Sequence, residues 1–263
     1  QGAEITVLIH DMIPLDHPEF QREGRVEMFE AAMRRVSQSA TRVIYNSHHS
    51  RERGAHWFGL FGRVPPCEVA HLGIDRLEPD TTEVPAGIPP DRPCFVATGT
   101  LEGRKNHGLL LDAWTHLAKM EGQTPTLLLI GSRGWRNEAF LSRLDGSPQL
   151  ASDIFELGGL SDGAVAALTE RAIAALFPSH AEGYGLPPAE ALALGTPALV
   201  NTLPVYREFL GDLPVYLDGA DSYQWAKTIH EMATKGWAET RIPREDVQLP
   251  TWDAHFNKVL KVT

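Results

Sequence analysis

The chain has 263 residues, of which 43% are hydrophobic and 22% are charged, a composition typical of globular rather than disordered proteins. Its net charge of −10 disfavours a nucleic-acid partner, which would require a basic surface. Cys67 and Cys94 show no disulfide-framework spacing, and no apolar run approaches the roughly 20 residues that span a bilayer. These features predict a cytoplasmic protein.

The first 75 residues predict a partial α/β domain. Its apolar and helical patterns place strands at residues 5–9, 42–45 and 69–72, and helices at residues 24–40 and 50–61. Pro14 and Pro18 are expected to keep residues 12–19 out of a helix. Residues 76–92 are rich in proline and lack periodicity, which predicts an interdomain linker.

Residues 93–245 predict a second and larger domain, followed by a C-terminal segment over residues 246–263. Strands and helices alternate along it, which predicts a doubly wound, mostly parallel sheet with its strand-end loops on one edge. The predicted strands are 94–98, 126–130, 154–157, 173–177, 198–201 and 215–217. The predicted helices are 107–119, 136–144, 161–171, one that begins near residue 186, 205–210, 221–236 and 252–262.

Residues 177–190 combine a strand end, a turn with two glycines and a helix start. Gly183 and Gly185 let the backbone approach a ligand closely. The two prolines that follow suit a first helical turn, whose free N–H groups attract anions. Glu182 and Glu190 are eight residues apart and can both reach a ligand that lies over the loop. Because such turns are also common without a ligand, the stretch alone leaves both interpretations open.

Arg104 and Lys105 are adjacent cations in a predicted loop that opens a helix, as expected of groups that neutralise a diphosphate. The alternative is a solvated pair, although cations at a helix start oppose the helix dipole. His10 ends the first strand and is either an acid, base or positioning group, or a structural histidine. Patterns for paired metal-binding histidines, a P-loop, a dinucleotide fingerprint and a nucleophile elbow are absent from the sequence.

The sequence resembles the retaining glycosyltransferases of the group 1 family, which have the GT-B fold of two Rossmann-like domains. The resemblance is carried by residues 177–197, where Glu182 and Glu190 match the family's Glu-x7-Glu motif, and by residues 99–106. Shorter matches lie at residues 10–14, 46–47, 72–75 and 204–212.

The resemblance implies that the second domain binds a GDP- or UDP-linked sugar in the cleft between the domains. Arg104 and Lys105 would hold the diphosphate, Glu182 would contact the sugar hydroxyls, and His10 would face the sugar from the first domain. Glu190 would hydrogen-bond the ribose. The other implied donor-binding positions are Gly99, Thr100 (where many members have arginine), Ser179, Gly183, Tyr184, Gly185 and Leu186.

The implied reaction transfers a mannose- or glucose-type hexose to a glycan or lipid-linked acceptor in bacterial polysaccharide or lipopolysaccharide assembly, without a metal or cofactor. A location at the inner face of the membrane is left open. Family members begin with more strands and helices, so the first domain is expected to be truncated and its exposed edge to favour association. The last helix is expected to pack back on that domain. Two alternatives remain: a nucleotide-sugar-binding fragment without catalysis, and a GT-B epimerase or phosphorylase.

Overall fold

A computed structural model describes residues 4–262, with side chains through residue 261. Residues 1–3 and 263, which belong to the predicted first domain and last segment, lie outside the described residues. The first unit contains strands β1 (Thr6–Ile9), β2 (Arg42–Tyr45) and β3 (Cys67–Val69), and helices α1 (Ile13–Asp16), α2 (Arg25–Ser39) and α3 (His48–Leu60). The strands form one parallel sheet with β2 in the middle.

Two predictions for this unit are wrong. Residues 13–16 are helical although Pro14 was expected to prevent a helix, because Pro14 lies in the first turn, where its missing N–H has no helical partner to lose. The third strand ends at Val69 rather than at residue 72. The carbonyl group of Leu72 accepts a hydrogen bond from the Tyr184 hydroxyl at 2.9 Å instead of continuing a strand ladder.

The second unit contains a six-stranded parallel sheet with helices on both faces. Its strands are β4 (Cys94–Thr98), β5 (Thr126–Ile130), β6 (Ile154–Leu157), β7 (Ala174–Phe177), β8 (Ala198–Asn201) and β9 (Val215–Leu217). Their order in the sheet is β6-β5-β4-β7-β8-β9. The helices are α4 (His107–Leu117), α5 (Glu138–Asp145), α6 (Asp162–Arg171), α7 (Leu186–Ala193), α8 (Pro204–Leu210), α9 (Ser222–Lys235), α10 (Trp237–Thr240) and α11 (Trp252–Val262).

The core of this unit explains why its strands are almost wholly apolar. Every residue of β5 and β7 is buried, as expected for parallel strands covered on both faces. Trp114 of α4 and Trp225 of α9 fill the core on one face, and Tyr206 of α8 fills it on the other. The sheet therefore provides a rigid frame for the loops at its carboxyl edge.

Helix α11 lies against the first unit. The Lys258 ammonium donates to the carbonyl group of Val69 at 3.0 Å, and His255 Nδ1 lies 3.2 Å from the carbonyl oxygen of Ala70. At the opposite edge of this sheet lies β1, where Leu8 is 42% exposed. The predicted domain boundaries and the association through this edge stay predictions. Within residues 4–262, no helix has the length and apolar character needed to cross a membrane.

Candidate functional site

The carboxyl ends of both sheets face each other, and the loop between β7 and α7 lies at the centre of this junction. Gly185 precedes α7 with φ of +105°, and a Cβ there would collide with the ring of Tyr206. Gly183 lies against the first unit, where a Cβ would be 2.8 Å from Asp11 Cβ and 3.0 Å from the carbonyl oxygen of His10. Both positions therefore require glycine, for two different steric reasons.

Residues of this loop and of the loop after β4 together form a buried cluster of charges. Arg104 Nη1 and Lys105 Nζ each donate to one carboxylate oxygen of Glu182 at 2.7 Å. Arg104 Nη2 also donates to Glu102 at 2.6 Å. Only 8% of the Glu182 side chain is exposed, and the two cations are 16% and 13% exposed. Two cations thus meet two carboxylates where water is largely excluded.

The pKa shifts follow from this pairing. Burial opposes the charge on Glu182, but Lys105 and Arg104 outweigh it and hold the pKa of the carboxyl below its usual value. Burial likewise opposes the charge on Arg104, yet the carboxylates of Glu182 and Glu102 raise its pKa. Glu182 is therefore ionised at neutral pH and acts as a hydrogen-bond acceptor rather than as an acid.

Backbone geometry brings the two cations to this position. Gly99 follows β4 with φ of +120°, which turns the chain into the loop, and residues 103–105 form a single 3-10 turn. Asn106 adopts a left-handed conformation, and its Nδ2 donates to the carbonyl groups of Pro178 at 3.1 Å and Gly219 at 2.9 Å. This amide ties the loop after β4 to the loops after β7 and β9.

The first unit supplies the opposite wall of a small cleft of ≈ 230 Å³. His10 and Asp11 face Arg104 and Glu182 across it. Asp11 accepts a hydrogen bond from the backbone N–H of Ile13 at 2.9 Å. Burial raises the pKa of Asp11, and the N–H of Ile13 and the charge of Arg104 offset part of that rise. The predicted catalytic residues His10, Arg104, Lys105 and Glu182 are thus brought together.

Other predicted site residues are placed differently. The Tyr184 ring is 5% exposed and stacks on Phe209 of the same unit at a centroid distance of 4.2 Å. Its hydroxyl group donates to the carbonyl group of Leu72 at 2.9 Å, so the side chain links the second unit to the segment that follows β3. Glu190 lies within α7, where burial, and then the charges of Asp162 and Asp75, raise its pKa. Leu186 lines the cleft, and Ser179 is buried in the loop between β7 and α7. Thr100 lies next to Gly134, away from the lining of the cleft.

Sequence reasoning missed three groups that shape the site. Glu102 holds the second edge of the Arg104 guanidinium, and Asp11 packs against Gly183. Ser50 donates its hydroxyl to the carbonyl group of His10 at 2.9 Å and lies 3.2 Å from that of Gly183. The available signal was position in the sequence: Glu102 lies close to the two cations, and Asp11 follows His10. Nothing in the sequence singles out Ser50.

A second contact between the units is formed by Glu208 of α8. Its carboxylate accepts hydrogen bonds from the first two backbone N–H groups of α3, those of His48 at 2.6 Å and His49 at 3.0 Å. It also lies 2.7 Å from Nε2 of His71. These contacts lower the pKa of Glu208 below its usual value against the opposing effect of burial. A carboxylate of one unit thus caps a helix of the other.

Comparison with known proteins identifies the family. A model of the glycosyl transferases group 1 matches residues 80–241, which include the whole charge cluster. The chain belongs to this family.

Individual relatives agree with this assignment. The serotype-specific mannosyltransferase WbdA of Escherichia coli is 28% identical over 99% of this chain, and the match covers 33% of WbdA. The chain thus spans about a third of the length of this curated relative. Two solved structures have the same fold at 17% identity and a TM-score of 0.72: Anabaena HepE in complex with UDP-glucose, and WaaG, a glycosyltransferase involved in lipopolysaccharide biosynthesis. The chain covers 72% of HepE and 74% of WaaG, and is itself covered to 99% and 98%.

These structures confirm the predicted α/β architecture as GT-B. Among residues 4–262, no three or more histidine, cysteine, aspartate or glutamate side chains are grouped so that they could hold a metal ion.

Proposed function

We propose that this group 1 chain transfers mannose, with retention of configuration, from a nucleoside diphosphate sugar to a glycan or lipid-linked acceptor. The observation that carries the proposal is the buried Arg104–Lys105–Glu182 cluster, which lies opposite His10 at the junction of the units. Cations in a water-poor site stabilise charge that develops on a departing diphosphate. In this proposal the two side chains supply the positive charge in place of a metal ion.

The proposed donor follows from the relatives and from the charge of the site. WbdA is named a mannosyltransferase, and HepE was solved with UDP-glucose. We favour GDP-mannose over a UDP-hexose. Arg104 and Lys105 would donate to the diphosphate oxygens, and the backbone at Gly183–Leu186 would contact the sugar and phosphate.

The reaction balances without any other reactant. The bond between C1 of the sugar and the diphosphate oxygen breaks, and its electron pair stays on the diphosphate. The acceptor hydroxyl oxygen forms a new bond to C1 on the same face, and its proton passes to the departing diphosphate. Glu182 would position the donor hydroxyls, since its lowered pKa keeps it an acceptor. His10 would contact the sugar from the first unit.

Glu190 would accept hydrogen bonds from the ribose hydroxyls of the donor. Burial, and then the charges of Asp162 and Asp75, raise its pKa. A carboxyl group keeps acceptor capacity in either protonation state, so it can accept from the ribose hydroxyls. By analogy with the named relatives, we place the reaction in polysaccharide or lipopolysaccharide assembly on the cytoplasmic side of the membrane.

A radioactive transfer assay tests the proposal. GDP-mannose labelled in the sugar is incubated with the chain and a mannose-terminated oligosaccharide, with and without EDTA. We expect a labelled, α-linked product whose yield EDTA does not reduce. Strict dependence on a divalent metal contradicts the metal-independent step, and an inverted linkage contradicts retention. GDP binding without transfer would instead favour a nucleotide-sugar-binding fragment.

A further inference from the structure

We propose that Tyr206 is a positioning residue, which donates a hydrogen bond to Glu182 when a diphosphate draws the two cations of the charge cluster away. The inference rests on the proposed function, in which those cations, Arg104 and Lys105, bind the diphosphate of the donor. It gives a role in the reaction to a side chain that does not itself line the cleft.

The hydroxyl group of Tyr206 is buried without a hydrogen-bond partner. Tyr206 lies in α8, and its side chain is fully buried. In the part of the chain that the structure describes, no group hydrogen-bonds its hydroxyl oxygen or that of the buried Ser179. A buried polar group without a hydrogen bond is costly, and such groups are few in folded proteins. A partner acquired in the donor complex would account for a tyrosine, rather than a phenylalanine, at this position.

The ring of Tyr206 lies directly against the loop that carries Glu182. A Cβ at Gly185 would be 2.4 Å from Cε1 of the ring and 3.5 Å from Cζ, the carbon that bears the hydroxyl. Burial, and then the charge of Glu182, raise the pKa of Tyr206 well above its usual value. The hydroxyl is therefore protonated at neutral pH, and the carboxylate lies near it without hydrogen-bonding geometry.

The carboxylate of Glu182 already has two charged donors in the structure. Arg104 Nη1 and Lys105 Nζ each lie 2.7 Å from one of its oxygens. A diphosphate that binds these cations competes with the carboxylate for the same N–H groups. Only 8% of the Glu182 side chain is exposed, and a buried charge that loses its partners is strongly destabilised. A nearby neutral donor such as the Tyr206 hydroxyl would stabilise the carboxylate at that moment.

Helix α8 holds the tyrosine in a fixed place. Glu208 of the same helix accepts hydrogen bonds from the backbone N–H groups of His48 and His49 in the first unit. The backbone N–H of Tyr206 donates to the carbonyl group of Leu203 at 3.1 Å, within the first turn of the helix. In the proposal, the carboxylate thus moves towards a hydroxyl group that stays in place.

Tyr206→Phe removes the hydroxyl group and keeps the ring. Calorimetric titration with GDP should show about tenfold weaker binding, because a hydrogen bond to a charged group is lost in the complex alone. The urea midpoint of the free variant should equal or exceed that of the unmutated protein, because the hydroxyl has no protein partner there. A lower midpoint would mean that the hydroxyl is already bonded in the free protein. That result overturns the proposal, as does an unchanged affinity for GDP.

Tyr216→Phe is the matched control. The Tyr216 hydroxyl donates to the carbonyl group of Gly211 at 2.7 Å, and the residue does not line the cleft. We expect the reverse pattern, with a slightly lower urea midpoint and an unchanged affinity for GDP. Equal losses of GDP affinity in the two tyrosine variants overturn the proposal.

A double-mutant cycle with Glu182→Gln shows whether Tyr206 acts through Glu182. A hydrogen bond to a neutral acceptor is about half as strong as one to a carboxylate, so loss of the hydroxyl should weaken GDP binding by only about threefold in the glutamine background. A tenfold loss in both backgrounds would mean that the hydroxyl acts on the nucleotide by another route, and would overturn the proposal.

The titration of the unmutated protein separates the two levels of inference. If it does not bind GDP, the proposed function fails, and the role of Tyr206 fails with it. If GDP binds equally well to the unmutated protein and to Tyr206→Phe, the proposed function stands and the role of Tyr206 is wrong.

Discussion

Replacing Glu182 by glutamine tests how the site uses its charges. In the structure, the carboxylate neutralises Arg104 and Lys105 at 2.7 Å each, and Glu102 provides the only other negative partner of Arg104 between residues 4 and 262. Glu182→Gln keeps the shape and one acceptor but leaves the cluster with one uncompensated positive charge. Removing one partner of a buried pair costs about 3–5 kcal/mol, and we expect the lower end, about 3 kcal/mol, in the free energy of unfolding.

The same substitution should strengthen nucleotide binding. A diphosphate that binds Arg104 and Lys105 must share them with Glu182, and the variant removes this competition while adding a net positive charge. We therefore expect GDP to bind about tenfold more tightly, which corresponds to about 1.4 kcal/mol. Transfer should fall by at least about a hundredfold, because an interaction with the donor sugar is lost.

Urea unfolding and calorimetric titration with GDP measure the two effects separately. The control is Glu156→Gln, which removes an ion pair with the exposed Arg133 and should cost at most about 1 kcal/mol. Unchanged or weaker GDP binding in Glu182→Gln would show that the carboxylate does not compete with the diphosphate. That result would refute the reasoning, even if transfer were lost.

Three further outcomes are expected. Lys105→Ala should weaken GDP binding by about 1.5–3 kcal/mol in calorimetry, the range for a hydrogen bond to a charged group, and unaltered affinity would exclude contact with the phosphates. Gly185→Ala should lower the urea midpoint because its φ is +105° and its Cβ meets Tyr206, whereas Gly24→Ala, with φ of +74° and open space, should lower it less. Glu208→Gln should destabilise the chain by about 1–2 kcal/mol at pH 7 through the lost helix cap. Folding lowers the pKa of Glu208, so the difference in stability between the two proteins should persist above the unfolded pKa of about 4.3. It should shrink as the pH falls through the pKa of Glu208 in the folded protein. A stability difference that does not depend on pH would contradict the capping role.

The sheet of the second unit could be predicted closely from the sequence. The strands at 126–130 and 198–201 have the expected bounds because buried parallel strands are continuous apolar runs between polar turns. The error at residues 13–16 has a local cause, since one proline both excludes a helix interior and favours a helix start. The family and the GT-B fold were also predicted correctly, from the motifs at residues 99–106 and 177–197.

Pairings across the fold could not be predicted in the same way. The motifs indicated Arg104 and Glu182 individually, but their ion pair joins residues 78 positions apart, and its geometry depends on how two loops meet. The contact between His71 and Glu208 spans 137 positions. Tyr184 illustrates the same limit, because the motif places it in the donor loop but does not reveal that its ring turns into the junction between the units.

The close approach of Gly183 to the first unit has a mechanical consequence. Its carbonyl group lies within 3.4 Å of the hydroxyl groups of both Ser47 and Ser50, so the peptide at this point is shared by the two halves of the molecule. Glu182 is the preceding residue along the chain. Rotation of one half against the other therefore has to break or stretch both of these hydrogen bonds, one residue away from the carboxylate that holds Arg104 and Lys105.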